Sequence, residues 1–339
     1  MAEPSPPPRI NLVGWDNGRG LSHDIRLLRD TLQSLGYQVH FTAARPGRRR
    51  RPIAMLRLRM QLLRQWWRGG RHGSWRFDAN IMLEHVRQDC FSLARRNLFI
   101  PNPEWLSPRD QRHLHRFDAV LAKTRVATKT FEARGLRTLY IGFRSCDRQL
   151  VGTPRETGFL HLAGASRMKG TARLLALWQR HPEWPHLLVL QSPQTAAAMP
   201  PVRAANIEHR IATLPDIHEI RQLQNSRRFH LCLSEAEGWG HYIAEAMSCA
   251  AVVITCDAAP MNELVGPDRG LLVDAAVVGP MNAATRHRFD EASLTSVIEH
   301  ATRLDAGQCE RIGAAARAWF EANQREFPAR LQDALQQVL

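Results

Sequence analysis

Short apolar runs recur along this chain, each closed by small, polar or turn-forming residues. In the first half they are Ile10 to Val13, Tyr37 to Thr42, Asn80 to Leu83, Leu98 to Ile100, Ala119 to Ala122 and Leu139 to Phe143. In the second half they are Leu160 to Leu162, Leu187 to Leu190, Ile207 to Ile211, Phe229 to Leu233, Ala251 to Thr255 and Gly270 to Val273. Runs of this length between turn signals read as strands. Helical spacing fills several gaps: His23 to Leu35, Gly170 through Trp178, His241 to Cys249, Glu291 to Ala301, Ala306 to Ala322, and Pro328 to Val338. Ser22 is placed to cap the first helix and Gly36 to stop it. Strands alternating with helices predict an α/β chain with parallel sheets. The Gly- and Pro-bearing stretch Val151 to Glu156 reads as a hinge, giving domains at 1–150 and 151–325 with a last helix at 326–339.

Composition supports two cores. The chain has 339 residues, 44% hydrophobic and 23% charged, which is globular. No run reaches the apolar length of a membrane span, and Met1 to Pro8 lacks the pattern of a signal peptide. Six cysteines without metal or disulfide spacing fit a reduced, cytoplasmic protein.

The net charge of +14 is carried almost wholly by arginine, since lysine occurs only at Lys123, Lys129 and Lys169. It is uneven. Arg45 to Arg76 holds eleven arginines and no acidic residue. Within it, Ile53 to Trp67 has helical spacing, with Leu56, Met60, Leu63 and Trp67 on one stripe and Arg57, Gln61, Arg64 and Arg68 on another. Three partners suit such a helix: an anionic membrane surface, its own domain with the arginines in water, or nucleic-acid phosphate.

The candidate chemistry is densest at Ser234 to Val265, where a strand end, Gly238-Trp239-Gly240, a helix and a second strand follow one another. Glycines at a strand-to-helix turn let a ligand approach the backbone, and the N-terminal end of a helix suits a phosphate. Glu237 and Glu245 bracket the turn, and carboxylates accept hydrogen bonds from hydroxyls. A diphosphate flanked by polyhydroxylated rings is the ligand these groups describe.

The blocks Glu237-Gly238-Trp239-Gly240, Glu245-Ala246-Met247 and Val252-Val253-Ile254 resemble the "EGFG…EAM…PVI" pattern of retaining glycosyltransferase family 4. Seven residues separate the two glutamates here, as they do in that family. Ala250 and Val252 stand where the family usually has Gly and Pro. The resemblance implies a GT-B fold, two Rossmann-like domains with parallel sheets facing across a cleft. It gives Glu245 to a ribose and Glu237 to the transferred sugar of a nucleotide-sugar such as a UDP- or GDP-sugar. Gly164 to Gly170 is similar to the family's "GR…KG" loop, which assigns Arg167 and Lys169, beside Gly164, to the diphosphate. The stretch holding Thr213 and Leu214 would carry the nucleobase through its backbone, and the final helix would cross back to the first domain. His85, at a strand end, is the candidate contact to the transferred sugar. The Gly18 loop is either a tight turn or a substrate contact.

The resemblance further implies transfer with retention, without a metal or a separate cofactor, to a membrane-associated glycan or lipid-linked acceptor. It places the protein as a peripheral one on the inner face of a membrane. A GT-B enzyme acting on nucleic acid or protein, and a non-enzymatic basic binding module on the same fold, stay open beside it.

Overall fold

The computed structural model describes residues 6–18, 20–43, 60, 76–199, 202–212 and 216–339. Apart from Met60 and Arg76, the basic block from Arg45 to Arg76 lies outside them. The chain forms two compact units. One takes in Met1–Lys123, Ala127–Gly142 and Phe327–Leu339, the other Thr124–Val126 and Phe143–Glu326. The division thus falls after Gly142, where the sequence reading put it after residue 150.

The first unit is built on six strands: β1 (Arg9–Gly14), β2 (Gln38–Ala43), β3 (Phe77–Leu83), β4 (Ala94–Ile100), β5 (Ala119–Ala122) and β6 (Thr138–Tyr140). They lie in the order β2-β1-β3-β4-β5-β6, all parallel. Ile10, Leu12, Ile81, Leu98 and Phe99 are fully buried along it. A line of amides crosses this apolar interior. Asn11 stands opposite Asn80, and Asn80 opposite Asn97. Asn11 Nδ2 donates to Asn80 Oδ1 (2.9 Å), Asn80 Nδ2 to Asn97 Oδ1 (2.7 Å), and Thr42 Oγ1 to Asn11 Oδ1 (2.7 Å). Each polar side chain thereby satisfies the next, as burial requires.

Helix α1 (Gly20–Ser34) begins before Ser22, so Ser22 is not its cap. The Ser22 hydroxyl instead accepts from the Gly18 amide (2.7 Å) and donates to Asp16, closing the loop upon itself. Inside the same unit Lys123 Nζ meets Asp24 Oδ2 at 2.8 Å, with the two side chains 3% and 5% exposed.

The second unit has β7 (Glu156–Gly164), β8 (Leu187–Gln191), β9 (Ile207–Ile211), β10 (Arg227–Cys232), β11 (Val252–Cys256) and β12 (Leu271–Val273). Their order is β12-β11-β10-β7-β8-β9, again parallel. Helices α2 (Thr171–Gln179), α3 (Ile217–Ser226), α4 (His241–Ser248) and α5 (Glu291–Arg303) flank it. The last helix, α6 (Ala306–Gln336), is continuous through Pro328. Two helices were expected there because proline removes an intrahelical hydrogen bond. Burial of Phe327, Leu331, Ala334 and Leu335 on one face carries the helix past it.

An antiparallel hairpin, β13 (Ala275–Met281) and β14 (Ala284–Phe289), was not foreseen. Gly279 and Pro280 interrupt the strand pattern, and Asn282 makes its turn at φ 55°. Ala250 is also left-handed, at φ 52°, which explains the glycine usual at that place in the family. A Cβ there costs about 1–2 kcal/mol. Arg155 covers the neighbouring carbonyls of Cys249 and Ala250.

Two histidines of this sheet are buried without charge. His161 bridges the Leu231 carbonyl (2.8 Å) and Thr171 Oγ1 (2.9 Å), and His230 meets the Gln224 carbonyl at 2.9 Å. Burial lowers each pKa from 6.5 to about 4. The unfolded chain therefore binds more protons between those values, and stability falls as the pH drops through that window. The expected loss is roughly 2–3 kcal/mol per histidine by the lower end. Urea midpoints measured across the window check this, and a flat profile contradicts it.

Candidate functional site

In the second sheet, β7 to β9 advance to one side and β10 to β12 to the other. The loops leaving β7 and β10 are therefore neighbours at the carboxyl edge, the place where open α/β sheets bind ligands. This topology brings Lys169 and Glu237 together across 68 residues of sequence, with Nζ 2.5 Å from Oε1. The two loops are also stitched by their backbones, Glu235 N–H to the Met168 carbonyl at 2.8 Å.

Tyr242, in the first turn of α4, completes the group. Lys169 Nζ stands 3.2 Å from the centroid of its ring, a cation over a π face. Ser234 donates its one proton to Glu237 Oε1 (2.6 Å), so the Tyr242 hydroxyl, 2.5 Å away, is the donor to Ser234. Burial pushes the Tyr242 phenol up, which keeps that proton in place.

A cavity of about 250 Å³ opens beside this cluster. Gly164, Ala165, Ser166 and Lys169 form one wall, Tyr242, Glu245 and Arg148 another, over an apolar floor of Leu162, Leu190 and Ile220. Tyr242 and Glu245 are three apart on α4 and so share a face. Glu245 Oε1 lies 2.8 Å from an Arg148 guanidinium nitrogen, the two side chains being 12% and 13% exposed. The arrangement offers hydrogen-bond acceptors for hydroxyls, cations for an anion and apolar side chains for a ring. Among the described residues no cluster of three or more His, Cys, Asp or Glu side chains is placed to hold a metal.

Of the residues singled out from sequence, Lys169, Glu245 and Gly164 line the cavity, and Glu237 adjoins it through Lys169. Arg167 is exposed and does not line it. The glycine turn is a packing feature at its centre. Trp239 is 4% exposed, its indole N–H donates to Ser145 Oγ (3.1 Å), and its ring lies edge-on to Phe143. Gly240 caps α4 at φ 103°, where a Cβ would come within 3.1 Å of Ile243. Gly238 is buried beside it and is outside the lining. Thr213 and Leu214 lie outside the described residues.

In the first unit, His85 follows β3 at a strained bend where Glu84 has φ 61°. Its Nε2 faces Glu84 (3.2 Å) and its Nδ1 faces Asp110 (3.6 Å). Burial alone would lower its pKa, but the Asp110 and Glu84 carboxylates raise it to about 9. Such an imidazolium, with both nitrogens turned to protein carboxylates, is a fixed charge holding the bend. Gly18, at φ 69°, belongs to the self-closed loop described above.

Sequence reasoning missed Arg148 and Tyr242. Arg148 is hidden by arginine's abundance, while the spacing of Tyr242 to Glu245 on a helix was a usable signal.

No protein-family model matches the chain, and no curated protein sequence does. Solved structures do. The sucrose-phosphate synthase of Thermosynechococcus elongatus is 13% identical, over 97% of this chain and 98% of that one, with a TM-score of 0.67. A glycosyltransferase from Rickettsia africae is 13% identical, over 98% of each chain, with a TM-score of 0.68. Anabaena HepE, in complex with UDP and glucose, is 16% identical over 97% and 100%, with a TM-score of 0.64. The fold is GT-B. At these identities a GT-B likeness concerns the backbone, and the roles of side chains rest on this chain's own geometry.

Proposed function

We propose that this chain is a glycosyltransferase that moves a sugar from a nucleotide-diphosphate-sugar to a hydroxyl. The observation that carries the reading is the meeting of two cation–carboxylate pairs, Lys169 with Glu237 and Arg148 with Glu245, around one cavity at the switch point of a GT-B sheet. The likeness in fold to a protein solved with UDP-glucose supports it. The nucleoside lies over the apolar floor with its ribose on Glu245. Lys169 leaves Glu237 to meet the diphosphate as charge grows on the departing group, and Glu237 is released to hold the sugar's hydroxyls. Transfer retains configuration and proceeds without a metal. The acceptor is a membrane-associated glycan or lipid-linked hydroxyl, reached by a cytoplasmic protein whose Arg45 to Arg76 block rests on an anionic surface.

A thermal-shift panel of nucleoside diphosphates tests the donor half. One of them is expected to raise the melting temperature, and Glu245→Ala to abolish the rise. Silence across the panel defeats the proposal. Binding to anionic vesicles, set against neutral vesicles and duplex DNA at matched salt, tests the acceptor half; preference for DNA would point to a nucleic-acid acceptor instead.

A further inference from the structure

An ion pair that opens to take a ligand leaves two side chains without their main hold. Lys169 Nζ and Ser234 Oγ both bond Glu237 Oε1, at 2.5 and 2.6 Å, and among the described residues no hydrogen bond reaches Oε2. Once Lys169 turns to a ligand, Ser234 is the protein's remaining grip on that carboxylate. Ser234 sits just past β10 with no exposed surface. A hydroxyl rotates about its own bond and can donate in more than one direction. The Tyr242 hydroxyl, 2.5 Å away, fills the acceptor side of Ser234 and so points the serine proton at Glu237. Bonds linked in a chain also polarise one another, which strengthens the last of them.

The same tyrosine meets the other partner. Lys169 Nζ lies 3.2 Å from the centroid of its ring, and both side chains line the cavity. The two holds on the ammonium differ in reach. A hydrogen bond to Glu237 is gone beyond about 3.5 Å, whereas attraction to a ring face extends to about 6 Å. The ring therefore keeps its hold through a shift of Lys169 that breaks the ion pair. We propose that Tyr242 is a positioning residue for both halves of the pair: through Ser234 it keeps Glu237 aimed, and with its ring it keeps Lys169 seated, while the two exchange each other for a ligand. This inference rests on the nucleotide-sugar reading given above.

The test is a mutant cycle on the full chain, read as kcat/KM for hydrolysis of whichever of UDP-glucose, GDP-mannose, ADP-glucose and TDP-glucose wild type uses best. Calorimetric affinity for that donor stands in where hydrolysis is too slow to time. Ser234→Ala, which removes the bond to the carboxylate, is expected to lose at least ~10-fold. Tyr242→Phe keeps the ring without the hydroxyl and is expected to lose roughly 3- to 10-fold. Because the hydroxyl acts through Ser234, the double variant should match Ser234→Ala alone to within about 2-fold. Tyr242→Leu, which removes the ring as well, should fall at least ~5-fold below Tyr242→Phe. Tyr242→Phe within about 2-fold of wild type overturns the proposal. So do losses that multiply in the double variant, or a Tyr242→Leu no slower than Tyr242→Phe. Should Tyr242→Leu fail to fold, the cycle of Tyr242→Phe with Ser234→Ala decides alone. If wild type binds none of the four donors, the nucleotide-sugar reading itself falls and takes this inference with it, a result separate from a donor that turns over regardless of the tyrosine.

Discussion

Lys169→Met is expected to lower turnover of a nucleotide-sugar by about 10²- to 10³-fold, the loss that follows removal of one preorganised group facing developing charge. Methionine keeps the length and much of the packing over Tyr242, and it removes the cation that stands 2.5 Å from Glu237. The fall should lie mostly in kcat, because the charge on the diphosphate grows as the sugar departs. Lys169→Arg should recover little. A guanidinium is planar and larger than an ammonium, and the slot between Glu237 and Tyr242 is filled by a point charge. Donor hydrolysis rates at saturating nucleotide-sugar provide the measurement. Turnover within a few-fold of wild type would remove Lys169 from the chemistry.

The largest expected loss of stability is at the other buried pair. Asp24→Ala takes the carboxylate from beside Lys123, whose side chain is 3% exposed, and breaking such a pair costs about 3–5 kcal/mol. Replacing both members with apolar side chains of similar volume, Asp24→Leu with Lys123→Met, should return most of that. Burying two charges is itself expensive, so their joint removal is far milder than removal of one. Urea unfolding of the single and double variants separates the outcomes. A single-variant loss below about 1 kcal/mol, the scale of an exposed pair, would contradict the argument.

The strands were legible because each is a short apolar run ending at a turn, and the parallel sheets followed from their alternation with helices. The loop membership of Lys169 and Glu237 was legible for the same reason: loops at strand ends carry the polar residues, and Glu245 was read in the helix that follows, where it lies. Other features depend on contacts that spacing does not encode. His85 sits at a strand end as read, yet Asp110, distant in sequence, occupies one of its nitrogens. Trp239 lies among glycines in a turn read as ligand-binding, yet its side chain packs on Phe143 and donates to Ser145. Arg148 acquires its place only when Ser248 and Asn225 fold onto its backbone. The hairpin escaped notice because Gly279 and Pro280 break its alternation, and α6 because burial overrides a proline.

The amide line through the first sheet also bears on how that sheet assembles. One step out of alignment, Asn80 would stand against Ile10 or Leu12 in place of Asn11. Its carboxamide would then be entombed in hydrocarbon at a cost of about 1–3 kcal/mol, and the error would repeat at each strand of the line. Misthreaded pairings of β1, β3 and β4 are thus discouraged before they consolidate, and the asparagines act as a proofreading mark for the folding chain.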